Sequence, residues 1–173
     1  KQGLSSDAGK DGRAVVDPNF VIVTTDQTRR TDEDDPTTRK ALADFCFHKQ
    51  DLGYSVMIVT ETNTYTVTGL PGEYRFLEER GGYENVTEDD PPHQTPQKIR
   101  KWLQDNWVER GIDYVLLMGD PDPDNIGEDD DHVGDIPMVQ IWRNITSDYP
   151  TDSYYADLSG DWNRDGDDYT GEM

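Results

Sequence analysis

Apolar residues gather in four short blocks rich in β-branched side chains, each bounded by turn residues. These are PNFVIVTTD at 18–26, GYSVMIVTET at 53–62, IDYVLLMGD at 112–120 and IPMVQIWR at 136–143. Continuous apolar runs of that length predict strands buried on both faces. Between the first two, TTRKALADFCFHKQDLG (37–53) sets Leu42, Phe45, Cys46 and Lys49 at helical spacing. Asp35 suits its cap, Pro36 its first turn and Gly53 its end. TPQKIRKWLQDNWVERG (95–111) opens on Thr95-Pro96, closes on Gly111 and aligns Ile99, Trp102, Leu103 and Trp107 in one stripe, so it is the clearest helix. Residues 1–17 read as a flexible leader, and 63–94 as a weakly patterned insertion in which TYTVT (64–68) extends a strand or makes a hairpin.

The order strand, helix, strand, insertion, helix, strand, strand predicts one α/β unit over 18–173. Its mostly parallel sheet has about four strands and helices on its flanks. In such sheets the functional crevice lies beyond the carboxyl ends of the strands. Asp26, Thr60 to Thr62, Gly119, Asp120 and Arg143 fall at that edge.

Charge narrows the choice of partners. The formal net charge is −21, with 37 acidic and 16 basic side chains. Such a surface repels nucleic-acid backbones and anionic membranes and favours cations or basic peptides. No stretch is apolar enough to predict membrane insertion. One cysteine, Cys46, allows no internal disulfide. No signal peptide is visible at Lys1, and both ends read as sites of processing or truncation.

Near the carboxyl end, GDWNRDGDDYTGEM spaces Asp161, Asn163, Asp165, Asp167 and Glu172 as a twelve-residue calcium loop, with Gly166 at the sharp turn. Ca²⁺ needs six to eight oxygens, and a glutamate at the twelfth position closes the cage with both of its own. Asp157 is an additional ligand candidate. The competing reading is an acidic turn in an acidic chain, because no helix-forming pattern flanks the loop. Asp120, Asp122 and Asp124 form a second acidic run without a closing residue, which reads as a solvated loop. A Mg²⁺-dependent phosphotransfer site on Asp26 and Asp120 lacks the accompanying hydroxyl and lysine set. Cys46 and His48 sit two residues apart on a helix and face different ways, so they make no dyad and Cys46 reads as a buried structural thiol. His93 and His132 have no nucleophile that spacing assigns to them.

Three strings, taken together, carry a resemblance: IRKWLQDNWVERGIDYVLLMGDP (99–121), DIPMVQIWR (135–143) and PTDSYYADLSGDWNRDGDDYTGE (150–172). They resemble the gingipain-type cysteine endopeptidases, prokaryotic relatives of the caspases. The likeness covers 95–173 well and the first two strands loosely, and the 63–94 insertion departs from it. It implies the first half of a caspase-like three-layer sandwich. The family's His and Cys lie in a second, carboxy-terminal catalytic subdomain of the same precursor, and match nothing here. The chain is then expected to be a non-catalytic half that supports the substrate cleft of a secreted or cell-surface, zymogen-derived enzyme. Asp152 in T-D-S-Y-Y approximately matches a specificity-pocket aspartate of the arginine-directed members, which implies a basic peptide substrate; a turn-capping Asp is the plainer reading. Calcium sites are a feature of the family and favour the Asp161–Glu172 loop. The alternative is a calcium-binding structural or adhesive module without peptidase activity.

Overall fold

The structure is a computed structural model that describes residues 19–29, 36–69, 75–86, 95–119, 136–144 and 147–162. The leader at 1–17 lies outside them, as do Asn163, Asp165, Asp167 and Glu172, the acidic run after Gly119, and the histidines at 93 and 132.

Strand β1 (Asn19–Val23) lies between β2 (Ser55–Val59) and β5 (Ile112–Leu117), parallel to both. Two strands from the predicted insertion, β3 (Asn63–Thr68) and β4 (Arg75–Gly81), add antiparallel beyond β2. The sheet order is β4-β3-β2-β1-β5. The segment at 63–94 therefore contributes two strands to the sheet. Its Thr- and Tyr-rich alternation buries one face of β3 while β4 stays exposed at the rim. The fourth predicted strand also differs in role. It forms as β6 (Val139–Asn144) but pairs antiparallel with β7 (Ser147–Thr151) in a separate two-stranded ribbon.

Alternation along β1 sorts the core into two. Phe20 and Ile22 join Val56, Ile58, Leu42 and Cys46 under helix α1 (Pro36–Asp51). Val21 and Val23 join Met57, Val59, Ile99 and Leu103 under helix α2 (Thr95–Arg110). Successive side chains of a strand point to opposite faces, so a fully apolar strand needs a helix on each. The result is a three-layer α/β/α sandwich. The two crossovers run in opposite directions along the sheet from its centre and use opposite faces, as a single handedness requires. Both helices stop at glycines with positive φ, Gly53 at +92° and Gly111 at +61°. Trp107 departs from the expected stripe: it stands 46% exposed at the end of α2, one turn beyond the sheet's cover.

Candidate functional site

The carboxyl ends of β1 and β2 run straight into a hydrogen-bonded knot. Thr24 and Thr60, the next residues, are fully buried, and the Thr24 N–H donates to Val59 O at 2.9 Å. The Asp26 N–H donates to Glu61 Oε2 at 2.6 Å. The Thr62 hydroxyl donates to Asp26 Oδ2, and Arg29 Nε lies 3.6 Å from Asp26 Oδ1. The Arg29 guanidinium lies over the Tyr65 ring, 4.2 Å from its centroid. Asp26 is thus a buried anchor between two strand ends. Its Oδ2 accepts from Thr62, while Oδ1 faces Arg29 at ion-pair distance without a hydrogen bond.

The loop after β4 covers that knot. Three consecutive backbone donors, Gly82, Tyr83 and Glu84, reach Thr62 O, Thr60 O and Glu61 O at 2.8, 3.1 and 2.9 Å. Those carbonyls lie beyond the end of β2, and a buried polar backbone group without a partner is costly. Tyr83 is buried in the α2-side core, and the Asn85 side chain donates to Thr62 O at 2.8 Å. The approach needs a glycine: a Cβ on Gly82 would stand 1.8 Å from Thr60 O.

A second arrangement leads to the predicted calcium loop. Helix α3 (Ser153–Ala156) is one turn long, and the chain from it to Trp162 lies against α2. Tyr154, Tyr155 and Trp162 are buried, with Tyr154 edge-on to the other two rings at 5.6 and 5.5 Å. The Tyr155 hydroxyl donates to Pro137 O at 2.5 Å. Burial, then the neighbouring Tyr154, Asp152 and Tyr83, push that phenol's pKa up. Arg100 on α2 holds the segment through three carbonyls. Its Nε donates to Tyr154 O at 3.0 Å, and its Nη2 to Asp157 O and Gly160 O at 2.8 and 2.7 Å. Gln104 adds a bond to Leu158 O at 2.9 Å. Within the segment, Asp157 Oδ1 accepts from the Ser159 and Gly160 N–H groups at 3.1 and 2.9 Å and from the Ser159 hydroxyl at 3.1 Å. These bonds, the Gly160 amide first, hold the Asp157 carboxyl below its ordinary pKa. The carboxylate lies so close against Gly160 that a Cβ there would be 2.2 Å from Oδ2.

The candidate ligands and substrate contact fall as follows. Asp152 is exposed at the N-cap position of α3, and its side chain makes no capping hydrogen bond. Asp161 is exposed at the end of the docked segment. Asp157 has one oxygen engaged in the turn, and the carbonyls around it face Arg100. Of the candidate ligands, the described residues include only Asp157, whose Oδ2 makes no hydrogen bond within the turn, and Asp161. Hard oxygen donors of that kind fit Ca²⁺. Among the described residues no three of His, Cys, Asp and Glu gather as a metal group.

Cys46 is fully buried under α1, and burial pushes its pKa up to about 12. His48, two residues on, is exposed. Because the folded pKa lies above the unfolded value, the thiol supports folding at neutral pH, and that contribution is lost as pH rises toward about 12. At pH 8 the native thiolate is roughly three orders of magnitude rarer than in a free cysteine. We therefore expect native labelling by an aromatic disulfide reagent to be at least about 1,000-fold slower than in denaturant. Labelling within mixing time would contradict the burial.

Arg100 and Gly82 were not evident as site residues in the sequence. Arg100 is one of several cations on the polar side of α2, and Gly82 one of two glycines in a loop. No spacing rule pairs either with its distant carbonyl partners.

A mixed sheet with a parallel centre and helices on both faces has the architecture of the caspase-like class of α/β folds. The model of peptidase family C25 matches residues 14–173, and the chain belongs to that family, the gingipain-type cysteine peptidases. Neither a curated protein nor a solved structure matches the chain. Among the described residues no helix is long and apolar enough to cross a membrane.

Proposed function

We propose that this chain is the amino-terminal, non-catalytic subdomain of a secreted, calcium-stabilised gingipain-like endopeptidase. It walls the substrate cleft, while the catalytic His and Cys come from a carboxy-terminal subdomain of the same precursor. One observation carries the reading. The family's chemistry needs a thiolate, and the single cysteine of this chain is fully buried with its pKa raised to about 12. The exposed Asp152 at the start of α3 is the carboxylate proposed to pair with a basic substrate side chain. Ca²⁺, held by Asp161, Asn163, Asp165, Asp167 and Glu172 with Asp157 beside them, is proposed to order the tail that Arg100 docks. The excess of acid across the chain supports both a cation and a basic peptide as partners.

The test is incubation of the chain with arginyl and lysyl peptide reporters in calcium and thiol reductant. No turnover above buffer is expected, with wild type and Cys46→Ala alike. Turnover that Cys46→Ala abolishes would place the nucleophile in this chain and overturn the assignment.

A further inference from the structure

A cleft of about 310 Å³ opens between the carboxyl end of β4 and the second half of α2, beside the loop that covers the knot at the strand ends. Its walls carry Arg80, Arg110, Asn85 and Trp102, with the Gly81-Gly82 backbone between them. In a chain with 37 acidic side chains, two guanidiniums in one cleft call for an explanation.

The way Arg80 reaches the cleft is informative. Along β3 and β4, Tyr65 pairs with Glu78 but Thr64 pairs with Arg80, so Glu79 is an extra residue in a β-bulge. Thr66 pairs with Met57, which packs in the α2-side core, and Thr64 shares that face two residues away. Arg80, opposite Thr64, therefore faces α2. In an unbulged strand consecutive residues alternate, and Glu79 and Arg80 would point to opposite sides. Here Glu79 also faces α2, receiving the Thr66 hydroxyl and Arg110 Nη1, the latter at 3.2 Å. Bulges of this kind re-aim side chains.

The two arginines differ in what they have left to donate. Arg110 uses Nε on Asn106 Oδ1 at 2.9 Å and Nη1 on Glu79 and the Met57 sulfur, which leaves Nη2. Arg80 is exposed and makes no hydrogen bond with a described residue, while its charge, after the Thr66 and Arg110 contacts, helps hold the Glu79 carboxyl below its ordinary pKa. The acids at the cleft are engaged: Glu79 with Arg110, and Asp105 with Lys101.

We propose that this cleft is a binding site for a carboxylate, the side chain of an acidic residue in a peptide or partner protein, held by Arg80 and the outer edge of Arg110. A guanidinium fork matches a carboxylate with two parallel bonds. A monoanion suits the site better than a phosphate dianion, because Asp105 lines the same cleft, Glu79 is paired to Arg110, and the whole chain repels multiple negative charge. This reading does not depend on the peptidase assignment or on calcium.

The experiment is an NMR titration of the full chain at low ionic strength, following the Arg80 Nε–H and the Gly81 and Gly82 amides. The probes are N-acetyl-Gly-Glu-Gly-amide, its Gln counterpart and inorganic phosphate. Saturable shifts with the Glu peptide are expected, weakened roughly tenfold or more in the Gln peptide and in Arg80→Gln. Arg80→Lys keeps the charge without the fork and should fall between. Arg80 is exposed and donates no described hydrogen bond, so both variants should melt close to wild type. Non-saturating shifts with the Glu peptide, equal binding of the Gln peptide, or unchanged binding by Arg80→Gln would overturn the proposal. Phosphate binding as tight as the Glu peptide would overturn the preference for carboxylate.

Discussion

Gly82→Ala should destabilise the protein by at least ~3 kcal/mol, because the added Cβ meets backbone that cannot yield. The carbonyl of Thr60 would be 1.8 Å away, with Asn63 N at 2.7 Å and the Glu61 carbonyl carbon at 2.8 Å. The main-chain conformation at Gly82, φ −79° and ψ −164°, is one that any residue adopts. The cost is therefore steric, and it falls on the three donors that satisfy Thr60, Glu61 and Thr62. For a chain of this size a loss of ~3 kcal/mol lowers the melting temperature by roughly 6–12 °C. Thermal denaturation followed by circular dichroism checks it. A melting temperature within a degree of wild type would mean that the loop does not cross the strand ends as described.

Arg100→Ala should release the 152–162 segment from α2. One guanidinium holds three carbonyls, those of Tyr154, Asp157 and Gly160, and its plane lies over the Tyr154 ring at 5.0 Å. Hydrogen bonds from a charged donor contribute more than neutral ones, but the freed carbonyls lie near the surface and regain water. The expected loss is about 2–4 kcal/mol, below the sum of three separate bonds. Amide exchange at Asp157, Ser159 and Gly160 should accelerate by about 10-fold or more, while Val21 and Ile58 at the sheet centre keep their order of protection. Lysine at this position carries the charge without the fork, so it should recover less than half of the loss. Unchanged exchange at the three amides in Arg100→Ala would show that the aromatic side chains dock the segment unaided.

Much of this fold is legible in the sequence because burial writes it there. VIV, VMIV and YVLL are apolar on both faces, which only a sheet between two helix layers accommodates. Both helix ends are marked by glycines, and both glycines adopt the positive φ that makes them useful. The antiparallel pair β3 and β4 is harder to read. Arg75 to Gly81 carries four charged residues in seven and is held at the rim by pairing with β3 rather than by its own burial. β6 is apolar enough for the main sheet, yet it pairs with its sequence neighbour β7, a tertiary choice that local pattern does not encode. The site follows the same division. Asp26 and Thr60 to Thr62 lie at the strand ends where the strand pattern puts them, but hydrogen bonds and the loop after β4 fill that edge. Arg100, Gly82 and the Glu79 bulge depend on contacts with partners far along the chain, and no periodicity announces them. Asp157 is legible as an acid but not as a turn former, since its role depends on where Ser159 and Gly160 bring their N–H groups.

The calcium loop is the central claim, and calorimetric titration of the chain with CaCl₂, paired with melting in calcium and in chelator, tests it most directly. The account predicts one Ca²⁺ per chain and a rise in melting temperature of roughly 5–10 °C at about 100 times the dissociation constant. Both effects should be lost in Asp161→Asn and Asp165→Asn. Identical melting in calcium and chelator, with no saturable heat, would contradict it.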